Sequence, residues 1–337
     1  MHQVHGGLNA LRGLLALVVL LGHSFDVFVK PTGSMPFLAE AAINATHSAV
    51  RCFFVLSGYV IAMSLDENRR RGFSITDYAL SRAVRIVPPL LVTILLVWVT
   101  ADALRLAGLA TIQSGERAEF VTHPAEQLLA LFTLAQWGDL TGGLNGPLWT
   151  LAEEIKLYTF AGLVASALFS RARTVAAVLL VALLYWMDSR NQLTDRNVVI
   201  AATFGLGALA YGARALEWKR IAGFTLLISC GAVALLAAAN NQRLGEDPRY
   251  FALLGFDTAM AALCAVLIQV IARTGALAGW KSLGASSYTL YILHYPALLF
   301  AYCLGANLLA VPLVLAFCWA IGYVVERPRS QKRAVLV

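Results

Sequence analysis

"LRGLLALVVLLGH", residues 11–23, carries an arginine at its start and a histidine at its end, and everything between them is apolar or glycine. It lies in an apolar run from about residue 8 to 28, within the roughly 17–25 residues that a membrane-spanning helix needs. Acid follows at once in "SFDVF", residues 24–28. Ionisable groups in a bilayer helix are costly and face a protein interior or a wet cavity. Arg12, His23 and Asp26 are therefore the first residues to ask about. Eleven residues along an α-helix amount to about 20° around the axis and roughly 16 Å along it, so Arg12 and His23 share a face. Asp26, three residues past His23, is within reach of that face. The plainer reading makes Arg12 a snorkelling interfacial residue and His23 a satisfied core histidine.

The rest of the chain has the same character. Of 337 residues, 59% are hydrophobic and only 13% charged. A soluble domain is nearer half apolar and a quarter charged. This composition indicates an all-α, multi-pass membrane protein with one domain over residues 1–337. The net charge of +7 does not indicate a nucleic-acid partner. The basic residues are scattered between apolar spans and form no patch interleaved with aromatics. Cys52, Cys230, Cys264, Cys303 and Cys318 fall within apolar spans at spacings that suit neither zinc nor a disulfide framework. The first residues lack the basic cluster of a signal peptide, and no small-residue cleavage site follows, so the first span is expected to be retained.

Ten apolar segments mark the expected spans: approximately 8–28, 46–65, 86–104, 147–168, 174–188, 197–213, 221–239, 250–272, 283–303 and 307–325. The fifth is short. The stretch 124–137 is apolar but too short to cross, which suits an interfacial or re-entrant segment. No internal repeat is evident. Numbering the loops alternately puts 17 cations on one side: Arg12, Arg69, Arg70, Arg71, Arg82, Arg85, Arg171, Arg173, Arg214, Lys219, Arg220, Arg273, Lys281, Arg327, Arg329, Lys332 and Arg333. The other side holds eight: Lys30, Arg51, Arg105, Arg117, Arg190, Arg196, Arg243 and Arg249. The excess of Lys and Arg marks the cytosolic side, so both termini are expected there.

Four segments carry further chemistry. "AVRCFFVLSGYVIAMSL" (49–65) holds Gly58, suited to close helix packing. "RRRGFSITDYALSRAVRIVPPLL" (69–91) reads as a cytosolic loop entering a helix that starts near Pro88–Pro89. Arg82 and Arg85 are three apart on that approach and can point at one anion. The guanidinium fork binds two phosphate oxygens at once. The competing reading is that these arginines only set topology, and it fits Arg69–Arg71 well. "NGPLWTLAEEIKLYTF" (145–160) opens a span with a turn and places Glu153, Glu154 and Lys156 in it. Adjacent carboxylates point about 100° apart on a helix, so one is free to pair with Lys156 or another cation. "LGASSYTLYILHYPALL" (283–299) puts Tyr291 and His294 on one face, with Pro296 two residues beyond.

Taken in order, the Arg12-to-His23 helix, "FFVLSGY", the Arg82/Arg85 pair before the double proline, "GPLWTLAEEIKLY" and "SYTLYILHYP" resemble the membrane acyltransferase family 3, which includes surface-glycan O-acetyltransferases. The matches run from residue 8 to about 299. The resemblance implies about ten core helices and transfer of an acyl group from cytosolic acyl-CoA to an acceptor outside the cytosol. By position it makes His23 the catalytic histidine and Arg12, Arg82 and Arg85 essential arginines. Where the family often reads "VEEQFY", this chain reads "EEIKLY", so the matching carboxylate is Glu154. Where the family often has an acid before "FFVLSG", this chain has Arg51. No fused extracytoplasmic hydrolase-like domain is expected.

The expectation is thus a multi-pass O-acyltransferase of the bacterial inner membrane, with acetyl-CoA as donor and a surface or exported glycan as acceptor. Arg12, Arg82 and Arg85 would hold the donor. His23 would be the general base, since imidazole accepts a proton near neutral pH. Asp26 either orients it or is structural. Glu154 is the third candidate catalytic residue, and Tyr291 and His294 are further candidates at the site. No metal is implied. The rival readings are a transporter, whose pathway also needs intramembrane ionisable groups, and an export-system subunit without chemistry.

Overall fold

A bilayer offers no water to backbone amides, so a chain this apolar must close its hydrogen bonds within each segment. The computed structural model describes residues 2–108, 146–189, 195–215 and 248–333, and among them the regular structure is entirely helical. The α-helices are α1 (His2–Phe28), α2 (Pro36–Arg70), α3 (Ile75–Leu106), α4 (Trp149–Phe169), α5 (Arg173–Ser189), α6 (Asp195–Gly212), α7 (Pro248–Thr274), α8 (Ser287–Cys303) and α9 (Val311–Arg333). Short 3-10 turns precede α4, α8 and α9. Nine of the ten expected segments coincide with these helices. The tenth, 221–239, and the stretch 124–137 lie outside the described residues. By length and composition, five helices among the described residues are apolar enough to cross a membrane. The chain is a multi-pass integral membrane protein.

One expectation is corrected. The helix holding Arg82 and Arg85 does not start at the double proline. It starts at Ile75 and runs through Pro88 and Pro89. Each proline lacks an N–H, so Val84 and Arg85 cannot receive the usual bond from four residues on. The apolar residues on both sides carry the helix past this defect. Arg51 stands inside α2, a helix of 35 residues. At 1.5 Å per residue α2 is about 52 Å long, well beyond a hydrocarbon core of about 30 Å.

The chain divides into two compact units. The first comprises residues 1–8, 47–78 and 157–279. In it α2 and α6 cross with backbones in contact: an added Cβ on Gly58 would strike the Phe204 carbonyl, and one on Gly207 the Val55 carbonyl. Gly58 therefore has the packing role its sequence context suggested. At one end of this unit, Asp66 gathers cations. It pairs with Arg69 at 3.0 Å, Arg70 at 3.1 Å and Arg214 at 3.2 Å, and Tyr211 donates to it at 2.8 Å. Arg273 donates to the Arg214 carbonyl at 2.9 Å. The ends of α2, α6 and α7 thus lie together, and their cations are ones the loop count places on one side.

The second unit comprises residues 9–46, 79–156 and 280–337. It holds every site residue named above. Here α1 is drawn close to its neighbours at two glycines. A Cβ on Gly13 would strike the Leu283 backbone, and one on Gly22 would strike Thr46 and the Ala42 carbonyl of α2. Each glycine adjoins a functional candidate, Arg12 or His23. The close approach at each glycine fixes the stretch of α1 backbone from which those two side chains extend.

Candidate functional site

Within the second unit, His23 meets α8. Its ring lies 5.3 Å from that of His294, tilted by 31°, and 5.1 Å from that of Tyr295, edge to face. His23 is half-buried, Tyr295 is buried, and His294 is 0% exposed. The Nδ1 of His294 sits 3.0 Å from the Leu290 carbonyl. A carbonyl only accepts, so Nδ1 carries the hydrogen and a neutral His294 has its lone pair on Nε2. That Nε2 is buried and has no hydrogen-bond partner among the described residues. A buried acceptor left unpaired costs free energy, so this nitrogen is available to a donor that arrives.

The start of α4 closes on the same side of α8. Thr150 donates its hydroxyl hydrogen to the Pro147 carbonyl at 2.9 Å. Its oxygen lies 2.8 Å from the Tyr291 hydroxyl, which must then be the donor. Tyr291 is thereby a strut between α4 and α8, with its ring 6.1 Å from that of His294. Glu154 stands one turn beyond Thr150 on the same face and within electrostatic reach of Tyr291. Glu153, about 100° away around the helix, pairs with Lys156 at 2.5 Å. Lys156 is only 3% exposed, so this is a buried ion pair. The pairing expected for one of the two carboxylates falls to Glu153, and Glu154 lies near enough to Tyr291 for its charge to act there.

Asp26 pairs with Lys30 at 3.0 Å, one turn further along α1. At the other end of the unit, Arg12, with a long bond to Asn9 at 3.3 Å, and Arg85 both lie within electrostatic reach of Glu326. Arg82 is half-buried one turn before Arg85 on α3. The structure therefore brings together His23, His294, Tyr291 and Glu154 in one group, and Arg12 and Arg85 in another.

Three participants were not legible at first reading. Tyr295 sits beside a conspicuous histidine but one residue off its helical face. Thr150 precedes Glu154 by four residues, a spacing that does place them on one face. Glu326 closes the last apolar run in "VVERPRS", where it reads as one more interfacial charge.

An imidazole beside a second imidazole with an available lone pair, a carboxylate near a tyrosine, and a separate arginine pair suit proton transfer near a bound anion. The comparison with protein families gives the class of reaction. The chain matches the acyltransferase-domain family from residue 5 to residue 326. No curated protein and no solved structure matches it. Since the matched region spans nearly the whole chain, the protein belongs to acyltransferase family 3 and is a membrane acyltransferase.

Proposed function

We propose that this acyltransferase moves an acyl group, acetyl in the first instance, from cytosolic acyl-CoA to a hydroxyl of an extracytoplasmic acceptor, a surface or exported glycan. The observation that carries the reading is the two-ended layout of α1. Arg12 stands with Arg85 and Glu326, and eleven residues on, roughly 16 Å along the helix, His23 stands against His294 and Tyr295. A long, thin donor with phosphates at one end and a thioester at the other suits that spacing.

In this reading Arg12, Arg82 and Arg85 hold the phosphates by charge-assisted bonds. His23 takes the proton of the acceptor hydroxyl as its oxygen attacks the thioester carbonyl. The carbon–sulfur bond breaks, the imidazolium returns the proton to the departing thiolate, and the products are the ester and free CoA. His294 Nε2 accepts a hydrogen bond from the acceptor and orients it. Asp26 orients His23 from the following turn, and Glu154 with Tyr291 shapes the acceptor side. Both termini face the cytosol, and the membrane is the bacterial inner membrane.

The test is to supply radiolabelled acetyl-CoA to membranes containing the protein and to compare surface glycans by mass with those of a deletion strain. Label on a glycan, and a glycan mass lost in the deletion and restored by the gene, are expected. Transport of a glycan with no label transferred would instead favour a transporter or export subunit.

A further inference from the structure

Glu326 is an unusual carboxylate for its position. It lies in α9, yet its Oε1 accepts the backbone N–H of Thr289 at 2.8 Å. Thr289 is in the first turn of α8, where amides have no partner inside the helix. Ser286 occupies the position before that helix, and its side chain makes no capping bond. Glu326 supplies the missing cap from another helix, and its charge suits the positive end of the α8 dipole.

A cap alone needs nothing more, but the surroundings contain more. Ser286 and Thr289 are 1% and 0% exposed, and their hydroxyl oxygens have no hydrogen-bond partner among the described residues. Arg12 and Arg85 are within reach of the same carboxylate. Packing explains how Arg12 arrives. Gly13 lies against the Leu283 backbone, Gly284 against Asn9, and Gly322, one turn before Glu326, against Ser286. Two guanidiniums from α1 and α3 repel each other, and a carboxylate near both offsets that repulsion. Each guanidinium has five donors in a fixed fork, and a charge interaction with Glu326 does not by itself commit any of them to it.

We propose that Glu326 is a positioning residue for the donor: it holds Arg12 and Arg85 as one anion-binding pair beside the first turn of α8. The inference rests on the reading of these arginines as ligands of the acyl-CoA phosphates. Pre-arranging the pair removes part of the ordering cost of binding.

The experiment measures acetyl-CoA binding and steady-state transfer for the full-length protein in detergent, together with the thermal midpoint. The variants are Glu326→Gln, Glu326→Asp, Arg12→Ala and Arg85→Ala. Glu326→Gln keeps an oxygen for the Thr289 amide but loses the charge. Its Kd and KM for acetyl-CoA should rise about tenfold while kcat stays within about twofold, and Glu326→Asp should recover part of the loss. A lowered thermal midpoint with unchanged Kd would make Glu326 a cap and nothing else. Tighter acetyl-CoA binding by Glu326→Gln would make it a competitor of the phosphates, which also overturns the proposal. If Arg12→Ala and Arg85→Ala bind acetyl-CoA as wild type does, the underlying reading of the arginines fails and the proposal falls with it. Weaker binding by both, with Glu326→Gln unchanged, rejects the role of Glu326 alone.

Discussion

His23 and His294 stand ring to ring, 5.3 Å apart and tilted by 31°, one on α1 and the other on α8.

 They are 271 positions apart in the chain. Only folding brings them together. The contact orders the two imidazoles unequally. His294 is fixed by its Nδ1 contact with the Leu290 carbonyl at 3.0 Å and is 0% exposed, whereas His23 is half-buried.

This asymmetry predicts different outcomes at His294. His294→Leu removes the buried acceptor and should lower transfer about tenfold, the equivalent of one modest hydrogen bond. His294→Gln keeps an acceptor near the Nε2 position and should lose less. Steady-state rates on purified variants of matched thermal midpoint check this. Equal losses from both would mean that packing, and not the acceptor nitrogen, is what His294 contributes.

Arg82 and Arg85 should matter to the donor. Changing either to Ala should weaken acetyl-CoA binding, on the order of 1.5–3 kcal/mol for a hydrogen bond to a charged group. Lys should rescue only in part, because it lacks the two-pronged fork. Calorimetric titration in detergent reads this directly. Wild-type affinity in both Ala variants would leave the arginines with topology or packing alone.

The Glu153–Lys156 pair predicts a stability pattern. Lys156→Met leaves a carboxylate without its partner in a buried setting and should cost about 3 kcal/mol or more. Adding Glu153→Gln should restore much of that loss. A double-mutant cycle on unfolding in mixed detergent tests it. Strictly additive losses would show that the two charges do not depend on each other.

The cation asymmetry predicts topology. Reporter fusions at Val337 should give a cytosolic signal, and fusions within 241–248 an extracytoplasmic one. A cytosolic signal at 241–248 would refute the orientation.

Much of this arrangement was legible in the sequence, for definite physical reasons. The apolar runs are long and the membrane permits only helices or closed barrels, so segments such as 86–104 and 174–188 fall where α3 and α5 stand. The shared face of Arg12 and His23 follows from helix geometry alone. The start of α3 was misplaced because a double proline usually ends or opens a helix, and here the helix passes through it. Glu326 and Tyr295 were missed because their significance lies in contacts with distant helices, and no local spacing encodes those.

The central claim is that His23 is the base of the transfer. The most direct measurement compares acetyl-CoA binding and acetyl transfer by purified wild-type protein and His23→Ala at matched thermal midpoints. General-base catalysis is worth about 10²–10⁴-fold. The account predicts that His23→Ala binds acetyl-CoA as wild type does and transfers acetyl at least about 100-fold more slowly. Wild-type turnover in a folded His23→Ala protein would contradict it and leave His23 a packed core histidine.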